Sequence, residues 1–166
     1  PDLITARIMG WASGRNAVDY TMNAITGVPL LTGPAELPAS QPVNHVLPAW
    51  DLITGAYAAF ALVAAERKRG RSGAGGEIRI PLVDVAATTL GHLGQIAEAK
   101  VGSAPRERVG NDLFGAFGRD FVTRDGRRVI VVAITARQWT TLTAAFGIAA
   151  QVNALEAETG ACFLRE

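Results

Sequence analysis

Two alanine-rich stretches, Asp51–Arg69 and Val83–Lys100, alternate with two short runs of strand character, Leu3–Met9 and Glu77–Leu82. No other feature of the chain constrains its fold as much. Helical segments interleaved with strands call for a layered α/β arrangement in which helices cover a sheet. Both helical stretches are built from Ala and Gly more than Leu, so they can pack closely against neighbours. A further helical period runs from Val18 to Leu31, with apolar residues at Val18, Met22, Ile25 and Val28 and a stop at Thr32-Gly33-Pro34. The predicted order is strand, helix, helix, strand, helix. Leu3–Met9 is expected to be a buried strand closed by Gly10 and Ser13-Gly14.

The texture turns polar and loop-like from Val101 to Gly110, which marks a candidate boundary. Beyond it, Arg119–Arg124, the turn Asp125-Gly126 and Arg127–Ile134 predict a hairpin. Val129–Ile134 is an unbroken apolar, largely β-branched run and reads as a strand buried on both faces. Thr135 is expected to cap a helix through Phe146 that Gly147 ends. The spans that follow are 1–100, a linker over 101–118, and a second region over 119–166.

Composition excludes several functions. Formal net charge is +1, so there is no electrostatic footprint for nucleic acid. The run Glu66-Arg-Lys-Arg-Gly-Arg71 reads as the solvated end of a helix, where cations are favourable. The single cysteine, Cys162, rules out an intrachain disulfide and reads as a buried or incidental thiol; His45 and His92 are too few for a zinc site, and no metal is expected. The most apolar stretch, Leu52–Ala65, is too short to span a bilayer, so the expected setting is cytoplasmic, with no membrane partner. The chain opens directly on a strand and stops without a turn or polar tail, and both ends read as cut from a longer polypeptide.

Chemistry concentrates in Pro42-Val-Asn-His-Val-Leu-Pro-Ala-Trp-Asp51. It ends the Pro-rich segment 33–50, an ordered loop of a length that usually has a functional reason. Asp51 stands where this apolar loop enters a small-residue helix, and is expected to be half desolvated and directed at a cleft. Two readings stand: a helix N-cap, or a catalytic carboxylate. Trp50 is a wall for substrate or a core anchor, and His45 is a site-lining or a surface residue. Ser72-Gly-Ala-Gly-Gly76 lacks the Lys-Ser/Thr of a phosphate loop and joins helix to strand, so it reads as a turn. The three glycines and two phenylalanines of Gly110–Gly118 suit either a mobile active-site cover or a turn leading into the hairpin.

Five runs together resemble the family III CoA-transferases, the group that includes formyl-CoA and carnitine CoA-transferases and α-methylacyl-CoA racemases. They are Pro1-Asp-Leu-Ile; Val18-Asp19-Tyr20 with Thr26-Gly27; Ala49-Trp-Asp-Leu-Ile-Thr-Gly55; Ala64-Ala-Glu-Arg67 through Gly73-Ala-Gly75 to Asp84; and Phe117–Gly126 with Gln138-Trp139. The resemblance implies an α/β fold in which 1–100 is the later part of a Rossmann-like large domain and 119–166 the start of a small α/β domain. It implies that Asp51 is an acylated nucleophile, that a coenzyme A thioester is a substrate with no permanently bound cofactor, and that a carboxylic acid accepts the CoA. It assigns Asn44, His45, Trp50, Gly115 and Gly118 to substrate or CoA binding, with Gly110–Gly118 where the family has a glycine-rich cover loop. It also implies an intertwined homodimer completed by N- and C-terminal parts of the same polypeptide. Racemases of the family need a histidine where this chain has Val18, which favours transfer over proton abstraction. Ala17–Asn23, Val43–Asp51 and Phe114–Phe121 further resemble a branch that moves CoA between the C1 and C4 carboxylates of mesaconyl-CoA, a C5 diacid.

Overall fold

The structure is a computed structural model that describes residues 2–102 and 106–163. It forms two compact units: residues 1–32 with 38–108, and residues 33–37 with 109–166.

The first unit is a parallel strand pair with helices against it. β1 (Ile4–Met9) and β2 (Gly76–Pro81) pair in register from Ile4↔Gly76 to Met9↔Pro81. Parallel strands need a long crossover. Here it contains α1 (Asp19–Thr26), α2 (Val28–Leu31) and α3 (Ala49–Ser72). α3 packs on both strands, and α4 (Leu82–His92) packs on α1 and α3, followed by α5 (Gln95–Val101). On α3 the buried residues are Trp50, Thr54 and Ala58, four apart and therefore on one stripe. Trp50 joins Met22, Leu82 and Ala86 in one core cluster, and Ala58 joins Ile80 and Val85 in another. Ile53 packs against both.

Three expectations for this unit need correction. The helical period from Val18 to Leu31 is two helices, because Gly27 has φ 73° and turns the chain out of the right-handed helix. The stretch Val83–Lys100 is likewise broken, at Leu93-Gly94. And β1 is a strand but not a buried one: Thr5, Ala6, Arg7 and Ile8 are exposed, since among the described residues β2 is its only strand neighbour.

The second unit is built on the hairpin β3 (Phe117–Val122) and β4 (Arg128–Ala133), paired antiparallel from Phe117↔Ala133 to Val122↔Arg128. The connection is longer than the expected Asp-Gly pair. It runs over Thr123–Arg127, closed by the Thr123 amide donating to the Arg127 carbonyl at 2.8 Å and by the Thr123 hydroxyl donating to Asp125 Oδ1. β4 is not buried on both faces either; Val129, Ile130 and Val132 remain substantially exposed. Helix α6 (Ala136–Ala145) packs against β4, and its Trp139 ring meets Phe117 of β3 at 5.0 Å. α6 begins as anticipated at Thr135, with Gln138 N donating to Thr135 Oγ1 (3.2 Å) and Gln138 Oε1 accepting from the Thr135 amide (3.1 Å). It ends at Phe146-Gly147, and α7 (Ala149–Thr159), which no sequence signal marked, follows.

Across the hairpin, Arg128 donates to Asp120 and pairs with its charge, and Asn111 adds a further hydrogen bond, so the Asp120 carboxyl is held below its ordinary value of 3.8. A carboxyl whose pKa is lowered on folding contributes stability above its unfolded value, and that contribution is lost as pH falls through the lowered one. In the full polypeptide, Asp120→Asn should remove this contribution, so wild-type and variant melting temperatures converge as pH drops below about 4. A gap unchanged from neutral to acid pH would show that the pair adds nothing to folding.

Candidate active site

The segment carrying Asp51 is fixed from α1. Asp19 and Asn23 lie four residues apart on one face of that helix, and both are only 2% exposed. Asn23 Oδ1 accepts from the Trp50 indole Nε1 at 2.6 Å, while Asn23 Nδ2 donates to Asn44 Oδ1 at 2.7 Å. Asp19 Oδ2 accepts from the backbone amides of Trp50 (2.7 Å) and Asp51 (3.2 Å). Further back, Arg108 Nη2 donates to the carbonyls of Pro29 (3.3 Å) and Gln41 (2.7 Å), and the Val43 amide donates to Pro29 O (2.8 Å). The loop is therefore anchored before it reaches α3.

This arrangement overturns the N-cap reading of Asp51. α3 starts at Ala49, its N-cap is Pro48, and Asp51 is the third helical residue. The first amides of a helix lack intrahelical acceptors, and Pro48 has no side-chain oxygen to offer. Asp19 supplies the acceptor from 31 residues away. Charge-assisted bonds of this kind contribute about 1.5–3 kcal/mol each. With the amides satisfied elsewhere, the Asp51 carboxylate makes no hydrogen bond or ion pair among the described residues, and Asp51 is exposed rather than half desolvated.

The other sequence-derived candidates fall into two groups. Asn44, His45 and Trp50 share the first unit with Asp51. Trp50 is 4% exposed and packs in the core, so its ring is an anchor rather than an open wall. Asn44 is tied to Asn23, and His45 is half-buried. Gly115 and Gly118 belong to the second unit. There the Leu113 amide donates to the Gly118 carbonyl at 2.9 Å, and the Leu113 side chain occupies the space a Cβ on Gly118 would need. Gly115 has φ 75° and open space beside it, and Phe114 is 59% exposed. A cavity of about 340 Å³ lies beside this loop, lined by Gly115, Phe117, Ile134, Trp139, Cys162 and Phe163. Cys162 is exposed on its wall, contrary to the buried alternative. Among the described residues no cluster of His, Cys, Asp or Glu is arranged to hold a metal ion, and no helix is long and apolar enough to cross a membrane.

Asp19 and Asn23 are the residues that the physical reading of the sequence did not single out. The available signal was a pair of polar residues at i and i+4 inside an otherwise apolar helical period.

Residues 1–161 match the model of CoA-transferase family III. The chain belongs to that family. It is 48% identical over 159 residues to the 2-methylfumaryl-CoA isomerase of Chloroflexus aurantiacus, covering 96% of this chain and 38% of that protein. Its fold is similar to a CaiB/BaiF family protein from Brucella suis (TM-score 0.68, 24% identity, 89% of this chain and 39% of that one). It is also similar to Rv3272 from Mycobacterium tuberculosis (TM-score 0.63, 24% identity, 87% and 37%). The chain thus spans well under half the length of the relatives it matches.

The indole bond can be tested alone. In the full polypeptide, Trp50→Phe keeps an aromatic ring but leaves buried Asn23 Oδ1 without its donor, which should cost about 1–3 kcal/mol. Trp50→Ala, which also empties core volume, should cost about 3–5 kcal/mol. Denaturant midpoints that rank the two variants equally would mean the hydrogen bond contributes nothing.

Proposed function

We propose that this family III chain is the Asp-bearing part of an enzyme that transfers CoA between carboxylates, with Asp51 as the acyl-accepting nucleophile. The observation that carries this reading is the exposed Asp51 carboxylate, unengaged by any described residue, on a backbone held through Asp19. A carboxylate is ionised at neutral pH and attacks without a general base.

The steps balance without a cofactor. Asp51 attacks the thioester carbonyl, giving a mixed anhydride and CoA thiolate. The thiolate then attacks the Asp51 carbonyl of the anhydride, releasing the free acid and leaving an aspartyl-CoA thioester. The acceptor carboxylate attacks that thioester, re-forming an anhydride and thiolate. Finally the thiolate takes the acceptor acyl group, and Asp51 is regenerated. Such a site must exclude water, because anhydrides hydrolyse, and must offer donors to the developing oxyanion.

The proposed substrate is a C5 unsaturated diacid, with CoA moved from its C1 to its C4 carboxylate so that donor and acceptor are one molecule; the 48% identical 2-methylfumaryl-CoA isomerase supports this reading. Racemisation by proton transfer is disfavoured, because Val18 cannot move a proton. The enzyme is cytoplasmic and acts as an intertwined homodimer. Its other segments and second subunit cover the apolar side chains that α3 exposes, Leu52, Phe60 and Val63 among them. Asn44 and His45 line the approach to Asp51, and Trp50 supports it from the core.

In the full-length enzyme, Asp51→Asn should lower turnover of 2-methylfumaryl-CoA by at least about a thousand-fold. Its folding stability should change by less than about 1 kcal/mol, the usual worth of one exposed charge at a helix start. Trapped acyl-CoA should leave a mass adduct on the peptide containing Asp51. Substantial transfer by Asp51→Asn, with deamidation excluded, ends the assignment.

A further inference from the structure

We infer that Asp19 is the positioning residue of this site, setting the direction of the Asp51 carboxylate through the backbone; this rests on Asp51 being the nucleophile. Three features of the geometry support it.

The first is redundancy. A 24-residue helix needs an N-terminal acceptor, and an exposed Ser, Thr or Asn at position 48 would serve at little cost. The chain has Pro48 there and brings the acceptor from α1 instead. The second is burial. Asp19 is 2% exposed, its Oδ2 holds two amides, and its Oδ1 is buried without a hydrogen-bond partner among the described residues. A dry carboxylate with one oxygen unpartnered is an expensive cap, and solvent-exposed caps avoid that expense. What it provides that they do not is registry. Asp19 and Asn23 are one turn apart on a single rigid helix, and they grip both the Trp50–Asp51 amides and the Trp50 indole. The start of α3 is thereby fixed in position and rotation relative to α1.

The third is the state of Asp51. The Asp51 carboxylate has no partner among the described residues, so its position is set by where the backbone places its Cα–Cβ bond. It must meet the acyl carbon, and afterwards present its own carbonyl to the thiolate. Acylation neutralises Asp51 but leaves its amide on Asp19 Oδ2, so the same grip serves both steps. Misplacement by about 1 Å in such displacements costs about a hundred-fold in rate.

The test uses the full-length enzyme with 2-methylfumaryl-CoA, measuring kcat, KM, melting temperature and the rate of adduct formation on Asp51. Asp19→Ala should lower kcat about a hundred-fold with KM within about threefold, and adduct formation should slow in parallel. Asp19→Asn, which keeps an acceptor oxygen at the same place, should recover most of that loss. Asp19→Glu keeps the charge but moves the oxygen by one methylene, so it should stay impaired while folded, and it carries the comparison if Asp19→Ala does not fold. A purely structural cap would lower melting and leave kcat of the folded variants unchanged. That result, or Asp19→Asn no better than Asp19→Ala or Asp19→Glu, overturns the inference. Asp51→Asn run alongside separates the two ideas: its activity would sink the nucleophile itself, whereas its inactivity beside a fully active Asp19→Glu sinks only the positioning role.

Discussion

The hydrogen bonds from the Trp50 and Asp51 amides to Asp19 Oδ2 are the interaction on which the rest of the first unit depends. They join helices α1 and α3 at the point where the proline-rich loop ends and the core begins. Trp50 enters that core immediately afterwards, against Met22, Leu82 and Ala86. A residue that large cannot shift without opening a cavity, so packing and capping reinforce one another. The asymmetry between Trp50 and Asp51 follows directly. Adjacent on a helix, they point about 100° apart, and burying one leaves the other facing solvent.

The alanine-rich character of α3 has its explanation in the same place. Its buried stripe tapers from Trp50 through Thr54 to Ala58, and the small residues let the helix lie close on β1, β2 and α4. Elsewhere the helix displays large apolar side chains such as Phe60 and Val63 to solvent. A soluble monomer rarely leaves contiguous apolar area uncovered. Among the described residues no element covers that surface, and the chain spans 38% of a relative's length.

How much was legible beforehand varied from residue to residue. Thr135 and Gln138 announced the start of α6, because a capping box is written entirely in adjacent residues. The pairing of β3 with β4 was equally local, although the turn was three residues longer than Asp-Gly suggested. Gly27 and Gly94 were harder to place: an apolar period continues across each, and only the positive φ divides the helices. Val129–Val132 misled for another reason. β-branched runs indicate a strand but not how many layers cover it, and here, with α6 against β4, Val129, Ile130 and Val132 stay exposed. At the site, the Pro48-Ala-Trp-Asp51 run marked Asp51 as unusual, and the family motif pointed to its chemistry. Neither suggested that Asp51 would be relieved of capping.

The sequence by itself determined the α/β character of the chain, the elements that local signals define, and membership of the CoA-transferase family III. Those depend on periodicity, caps and motifs that lie within a few residues of one another. The tertiary structure alone decided which carboxylate caps α3 and which stands exposed. Asp19 and Asp51 are chemically alike, and 32 residues separate them. Their different environments arise because α1 packs so that the Asp19 carboxylate meets the Trp50 and Asp51 amides, a relation that exists only once the chain has closed on itself.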